Sequence, residues 1–266
     1  MKIVAIIQAR VASTRLPAKV LMDLQGQPAI IRVWERVQQS KLIHELCIAT
    51  TDDPSDTPLA QLLEQRGLPY FRGSHHDVLD RFYQTAKKCQ ADVVVRLTGD
   101  CPLHDAQVID QVIQAHLDAQ DKPVYTSNVH PPTFPDGLDV EVFPFSALEE
   151  AIHSARDKHS REHVGPAIYK HYITDPALKP RTLNVAYPTD FSHLRWTLDT
   201  PEDYTFLNTV YEHLLASRPD FTWLDVVALL TRCPWMLKIN ADLERNFTVA
   251  QLKQDRQMAL EKDRPQ

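Results

Sequence analysis

The stretch KIVAIIQARVASTRLPAK, residues 2–19, decides how the rest of the chain is read. Its first part, Lys2–Gln8, is a short apolar run rich in Ile and Val, the pattern of a buried strand. The chain then turns polar, and the loop Ala9–Lys19 carries three cations, Arg10, Arg15 and Lys19. Ser13 and Thr14 add hydroxyl donors, and the loop backbone adds N–H groups. A nucleoside triphosphate packs several negative charges within a few ångströms, and forked guanidiniums meet phosphate oxygens in pairs. A solvated charged loop is the plainer alternative. The placement of the cations directly after a buried strand favours the phosphate cradle. The loop matches neither GxxxxGK[ST] nor GxGxxG, which argues against a P-loop NTPase and a dinucleotide-binding dehydrogenase.

Outward from that loop the pattern alternates. Glu45–Ala49, Tyr70–Arg72 and Asp92–Leu97 read as further strands, the last with a VVV run that marks burial on both faces. Helices are expected from about Pro28 to Ser40, from Asp53-Pro54-Ser55 to a stop at Gly67, from Val78 to about Gln90 behind an Asp77 cap, and from about Ala106 to Ala119. This alternation predicts an α/β fold with a largely parallel sheet. Ligands of such sheets bind outside the carboxyl ends of the strands. The loops after Gln8, Thr50, Arg72 and Leu97 should therefore line one cleft.

The rhythm breaks near Pro123. Pro131–Gly137 reads as a Pro-rich ordered loop. Asp139–Phe143 alternates like a strand, with Asp139 and Glu141 on one face. Ser146-Ala147-Leu148-Glu149 has the capping-box pattern of a helix start, Arg161–Tyr172 is helical in pattern, and Leu183–Ala186 is strand-like. Thr200-Pro201-Glu202-Asp203 and Thr222-Trp223-Leu224-Asp225 open two more helices, and Thr248-Val249-Ala250-Gln251 opens a last charged one.

The 266 residues, 43% of them hydrophobic, suffice for one large domain or one domain with an insertion. A net charge of −6 and a pI of about 6.0 argue against a protein that grips nucleic acid through its phosphates. Cys47, Cys89, Cys101 and Cys233 form no CxxC pair and read as buried thiols of a reducing compartment. The first apolar run is too short for a signal or membrane segment, so a cytoplasmic protein is expected. His75-His76 reads as a solvated turn, and Asp80 with Arg81 as an exposed pair of little energetic weight. Asp100 follows a strand through Thr98-Gly99, where the glycine permits a sharp turn to the mouth of the cleft. It suits Mg²⁺, which takes one or two carboxylates plus phosphate oxygens and water.

The loop resembles the signature of sugar nucleotidyltransferases with a glycosyltransferase-A-like Rossmann fold. Its nearest likeness is the spore-coat-polysaccharide cytidylyltransferase-like family, related to the enzymes that activate acylneuraminate and 3-deoxy-manno-octulosonate. Arg72-Gly73-Ser74, Asp77–Arg81, Arg96–Leu103, Ser127–Val129, Asp136–Phe143, Arg161–Val164 and His193–Asp203 carry the same likeness, which covers roughly residues 1–210. It implies a mixed, mostly parallel sheet flanked by helices, with a nucleotidyltransferase domain over 1–220. The break near Pro123 marks an inserted acceptor or dimerisation segment at 123–189, and the helix starts at Thr222 and Thr248 mark a helical extension at 221–266. The resemblance further implies CMP transfer from CTP to an acidic, sugar-like acceptor in surface polysaccharide or glycoconjugate synthesis, with release of pyrophosphate, use of Mg²⁺ and a homodimer. Ala9, Arg10, Ser13, Thr14, Arg15, Lys19, Arg72, Thr98 and Gly99 would then bind the nucleotide. Arg10, Arg15, Lys19 and Asp100 would carry catalysis, and Asp100 with Asp199 would hold the metal. Asp199 is also placed to cap the next helix. For the acceptor the candidates are Asn128, Asp136, Asp139, Glu141, Arg161, His163, Arg195 and Trp196, the arginines for an acidic group and the indole for a sugar ring. One departure stands out: the family loop carries glycines where this chain has Ala12 and Ala18. Two rival readings are a glycosyltransferase of related fold and a non-catalytic nucleotide-binding protein. The first expects Asp-x-Asp where this chain has Gly99-Asp100-Cys101, and the second draws on the two lost glycines.

Overall fold

The computed structural model describes residues 1–174 and 182–243. Four strands, β1 (Ile3–Gln8), β2 (Glu45–Thr51), β3 (Tyr70–Gly73) and β4 (Val93–Thr98), run parallel. The helices α1 (Ala29–Val37), α2 (Thr57–Gln65) and α3 (Val78–Lys88) connect them, and α4 (Ala106–Asp118) follows β4. Then come β5 (Tyr125–Ser127), β6 (Glu141–Pro144), α5 (Phe145–Ser154), α6 (Lys158–His163), α7 (Gly165–Thr174) and β7 (Thr182–Asn184). The helices α8 (Pro201–Leu214) and α9 (Trp223–Arg232) follow.

All seven strands form one sheet in the order β3-β2-β1-β4-β6-β5-β7. β6 alone among them runs antiparallel to its neighbours. The segment 123–189 thus adds three strands to the same sheet. The period of two sorts β1 onto two cores. Ile3, Ala5 and Ile7 face α1, α2, α4, α8 and α9, while Val4 and Ile6 face α3, α5 and α7. No helix of the described residues is long and apolar enough to cross a membrane.

The caps follow the sequence where a side chain can reach back. Asp77 accepts from the Asp80 N–H and Asp105 from Gln107 and Val108. Thr200 and Thr222 close full capping boxes with Asp203 and Asp225. Ser146 does not act as a cap. Phe145 N donates to the Asp92 carbonyl at 2.9 Å, so α5 begins directly off β6 with Pro144 before it and no side-chain cap. The helix expected over Arg161–Tyr172 breaks at Val164, which sits at φ 59°. Pro166 has no N–H to continue the ladder. The strand expected at Asp139 starts two residues later, and the helix expected from Thr248 lies outside the described residues.

Two histidines are built into the layers in neutral form. His104 is fully buried, and His116 is buried with Nδ1 3.0 Å from Thr126 Oγ1. Burial pulls both imidazoles down to about 4, against about 6.5 in an unfolded chain. Their contribution is therefore complete above about pH 6.5 and is lost as pH falls toward about 4. The urea midpoint is expected to drop across that window, and His104→Leu to flatten the slope. An unchanged slope in that variant would count against the assignment.

Candidate active site

β1 and β4 are neighbours, with Gln8 paired to Thr98, so the two loops that leave them start side by side. Gly99 N donates to the Gln8 carbonyl at 2.8 Å. A Cβ there would stand 2.9 Å from both Ala9 Cβ and Gln8 O, so only glycine lets the second loop pass over the first. The turn brings Asp100 to the carboxyl end of the sheet. Leu198 N donates to the Asp100 carbonyl at 2.7 Å, which brings Asp199 alongside.

Both carboxylates converge on one cation. Lys19 Nζ lies 2.7 Å from Asp100 Oδ2 and 2.5 Å from Asp199 Oδ1. Burial pushes the Asp100 carboxyl up, yet the Lys19 ammonium outweighs it and holds the group at about 2. Burial likewise pulls Lys19 down, and the two carboxylates more than reverse it. Arg15 Nη2 adds a contact to Asp199 Oδ2 at 3.1 Å from an exposed position. Four charged groups of the sequence reading, Arg15, Lys19, Asp100 and Asp199, are therefore assembled, with Lys19 as their centre.

The loop between β1 and Lys19 is pinned from below. Asp56, fully buried, accepts from Val11 N at 2.6 Å with one oxygen and from Thr51 N and Oγ1 with the other. Ala18 N donates to Val11 O, closing the loop on itself. Ala18 adopts φ 56°, ψ 25°, the left-handed region that glycine occupies freely. Ala12 is not among the positive-φ residues, so of the two glycine losses only Ala18 falls on a left-handed backbone.

This loop forms one wall of a cleft of about 670 Å³ that also takes in His75, Val78, Arg81, Glu162 and His163. Arg81 is not an exposed partner of Asp80. It is 3% exposed, its Nη1 donates to the Ser74 carbonyl, and its Nε has no partner. Burial, then the neighbouring Arg10, pulls its guanidinium down to about 10. Arg81 is thus a buried cation on the wall of this cleft without a carboxylate in hydrogen-bond contact, a position that sequence reading missed. The signal was there: position 81 falls between Val78 and Phe82 on the apolar stripe of α3.

A second cleft of about 230 Å³ opens beside the first, and Gln8, Thr98, Asp100 and His163 line both. Burial, then His159, lowers the His163 imidazole. Asp136, Asp139 and Glu141 also line this second cleft. The structure gives other work to four expected acceptor ligands. Asn128 is buried and ties Leu138 O to Val140 N. Arg161 pairs with Asp77 and caps the end of α5 through Ala155 O. Trp196 is 1% exposed and packs in the core, out of reach of a sugar ring. Arg195 is buried, donates to Asp203 at 2.8 and 2.9 Å, and reaches Asp199 and Asp136 at 3.4 and 3.5 Å. It orients Asp199 from behind. Arg72, expected to read the base, spends its guanidinium on the Thr51 and Asp53 carbonyls, and so holds the loop after β2.

Arg195→Met is expected to cost about 3–5 kcal/mol, since it leaves Asp203 charged and buried without its partner. Urea unfolding measures this. A loss below about 1 kcal/mol, the level of an exposed pair, would remove Arg195 from this role.

A mostly parallel sheet whose carboxyl edge presents a cationic loop to two convergent aspartates defines a nucleotidyltransferase. The chain belongs to the cytidylyltransferase family, whose family profile matches residues 4–213. It is a CTP-dependent nucleotidyltransferase. It is similar to the spore coat polysaccharide biosynthesis protein SpsF of Bacillus subtilis, 35% identical over 240 residues, covering 87% of this chain and 95% of that one. It is also similar to the solved structure of a cytidylyltransferase from Leptospira borgpetersenii. That likeness has a TM-score of 0.82 and 30% identity, over 90% of this chain and 97% of that one. A CMP:2-keto-3-deoxy-manno-octonic acid synthetase, solved in complex with CTP, shares the fold at TM-score 0.60 and 18% identity, over 80% and 99% of the two chains.

Proposed function

We propose that this protein transfers CMP from CTP to a hydroxyl of an acidic, sugar-like acceptor, with release of pyrophosphate, in the synthesis of a surface polysaccharide or glycoconjugate precursor. The observation that carries the proposal is the convergence of Asp100, Asp199, Lys19 and Arg15 on one point beside a cleft that Arg10 and Arg81 also line. Lys19, Arg15, Arg10 and Arg81 bind the phosphates and offset charge that grows on the departing pyrophosphate. The second cleft, joined to the first at Asp100 and His163, holds the acceptor for in-line attack on the α-phosphorus.

Mg²⁺ fits this site. Among the described residues no three His, Cys, Asp or Glu side chains form a ready metal cage. Two hard carboxylate oxygens within 2.7 Å of one nitrogen are instead the incomplete donor set of a cation that takes its other ligands from substrate phosphates and water. Asp100 and Asp199 would hold it. When bound, the ion supplies charge neutralisation at the α-phosphate. The cytoplasmic location and the homodimer belong to the same proposal.

A pyrophosphate-release screen of four nucleoside triphosphates against a panel of sugar acids, with Mg²⁺, tests it. CTP with at least one sugar acid is expected to turn over. CTP binding without turnover on any acid would defeat the reading of the acceptor.

A further inference from the structure

The closed end of the second cleft has chemistry of its own. Arg96 Nη1 is ion-paired to Glu141 Oε1, and Arg96 Nη2 donates to Gln8 Oε1 at 3.1 Å. Each charged side chain is 12% exposed. The pair sits two residues down β4 from Thr98, about 7 Å deeper than the rim at about 3.3 Å per residue. Two of its polar atoms, Arg96 Nε and Glu141 Oε2, are buried without a well-formed hydrogen bond, and the Tyr125 hydroxyl is the group that interacts with the Glu141 carboxylate from within the protein. A carboxylate has about four lone-pair sites, and burying it short of donors is costly, so beyond the Tyr125 hydroxyl this group has capacity left for a ligand's donor.

Gly165 keeps that place open. A Cβ there would stand 2.8 Å from Glu141 Oε2, 2.9 Å from Tyr169 Cε1 and 3.5 Å from the Tyr125 hydroxyl oxygen. The break between α6 and α7 at Val164 is what brings this glycine to the cleft wall.

We propose that Glu141, held by Arg96 and uncovered by Gly165, reads a hydrogen-bond-donating group on the acceptor, a hydroxyl or an amine, at the end remote from the attacking oxygen. The Arg96 guanidinium is already neutralised by Glu141, so this end does not receive a carboxylate, which Glu141 Oε2 would repel. An acidic acceptor therefore enters with its acid group toward the rim and its donor-bearing part toward the floor. The inference rests on the second cleft being the acceptor pocket.

Saturation-transfer NMR on the full-length protein with CTP tests it, using D-glucosamine, D-glucose and D-glucuronate as probes at equal concentration. Wild type is expected to favour glucosamine over glucose, and to bind glucuronate, its carboxylate at the rim and its hydroxyls at the floor, no more weakly than glucose. Glu141→Gln is expected to cancel the preference for the amine. Gly165→Ala is expected to weaken all three by about ten-fold, the loss of one hydrogen bond to a charged group. Glucuronate binding well below glucose, an amine preference that survives Glu141→Gln, or no transfer to any probe would each overturn the inference. Calorimetry with CTP alone separates the two levels. Absent CTP binding defeats the proposed function, whereas normal CTP binding with the wrong probe order defeats only the reading of the floor.

Discussion

Asp100→Asn is expected to lower turnover by about two orders of magnitude or more, with CTP binding largely kept. The substitution keeps the size of the side chain and removes one of the two negative charges that meet at Lys19 Nζ. Asp100 lines both clefts, so on the proposed reading its charge acts where the new bond forms. The proposed phosphate ligands Arg10, Arg15 and Arg81 are untouched, which is why binding is expected to survive. Pyrophosphate release and calorimetry read the two effects separately. A variant that releases pyrophosphate near the wild-type rate would remove Asp100 from the chemistry, and a variant that no longer binds CTP would make it a binding residue only.

The parts of this site that were legible in the sequence share one trait: their chemistry and their position are set by the same short stretch. Lys2–Gln8 declares its strand, and the polarity switch that follows puts Arg10, Arg15 and Lys19 at the strand's end. Thr98-Gly99-Asp100 works in the same way, since a strand end and a glycine turn are local facts. The acceptor side was less legible because its residues are decided by partners far along the chain. Arg195 and Asn128 look like surface ligands until Asp203, Asp136 and the loop at Leu138–Val140 close around them. Arg161 lies 84 residues from its partner Asp77, and no spacing rule reveals that pair. β5 passed unnoticed because three buried residues, Tyr125, Thr126 and Ser127, are too few to show a period. Glu141 was seen as facing a cleft, but its pairing with Arg96 depends on strand register across β4 and β6.

The second large effect belongs to Lys19. Its ammonium occupies the point where Asp100 and Asp199 converge, so the proposed divalent ion and this lysine would compete for the same two oxygens. The exchange is favourable only when the lysine has another anion to meet, and the phosphates of CTP in the adjoining cleft supply one. On this proposal metal capture would be coupled to nucleotide. Lys19→Met keeps the apolar stem and removes the charge, and two consequences of opposite sign follow. Turnover is expected to fall by about two orders of magnitude, because a phosphate cation is lost. Affinity for Mn²⁺ in the absence of nucleotide is expected to rise by about ten-fold or more, because two carboxylates no longer satisfied by an ammonium repel each other and favour a cation between them. Electron paramagnetic resonance of free Mn²⁺ measures the second effect without reference to activity, and thermal melting confirms that the variant is folded. A lysine that acted on phosphate alone would leave Mn²⁺ affinity unchanged, and that result would reject the competition while sparing the catalytic role. An increase in Mn²⁺ affinity that Asp199→Asn then abolishes would locate the ion between the two aspartates and make Lys19 the cation that stands in its place.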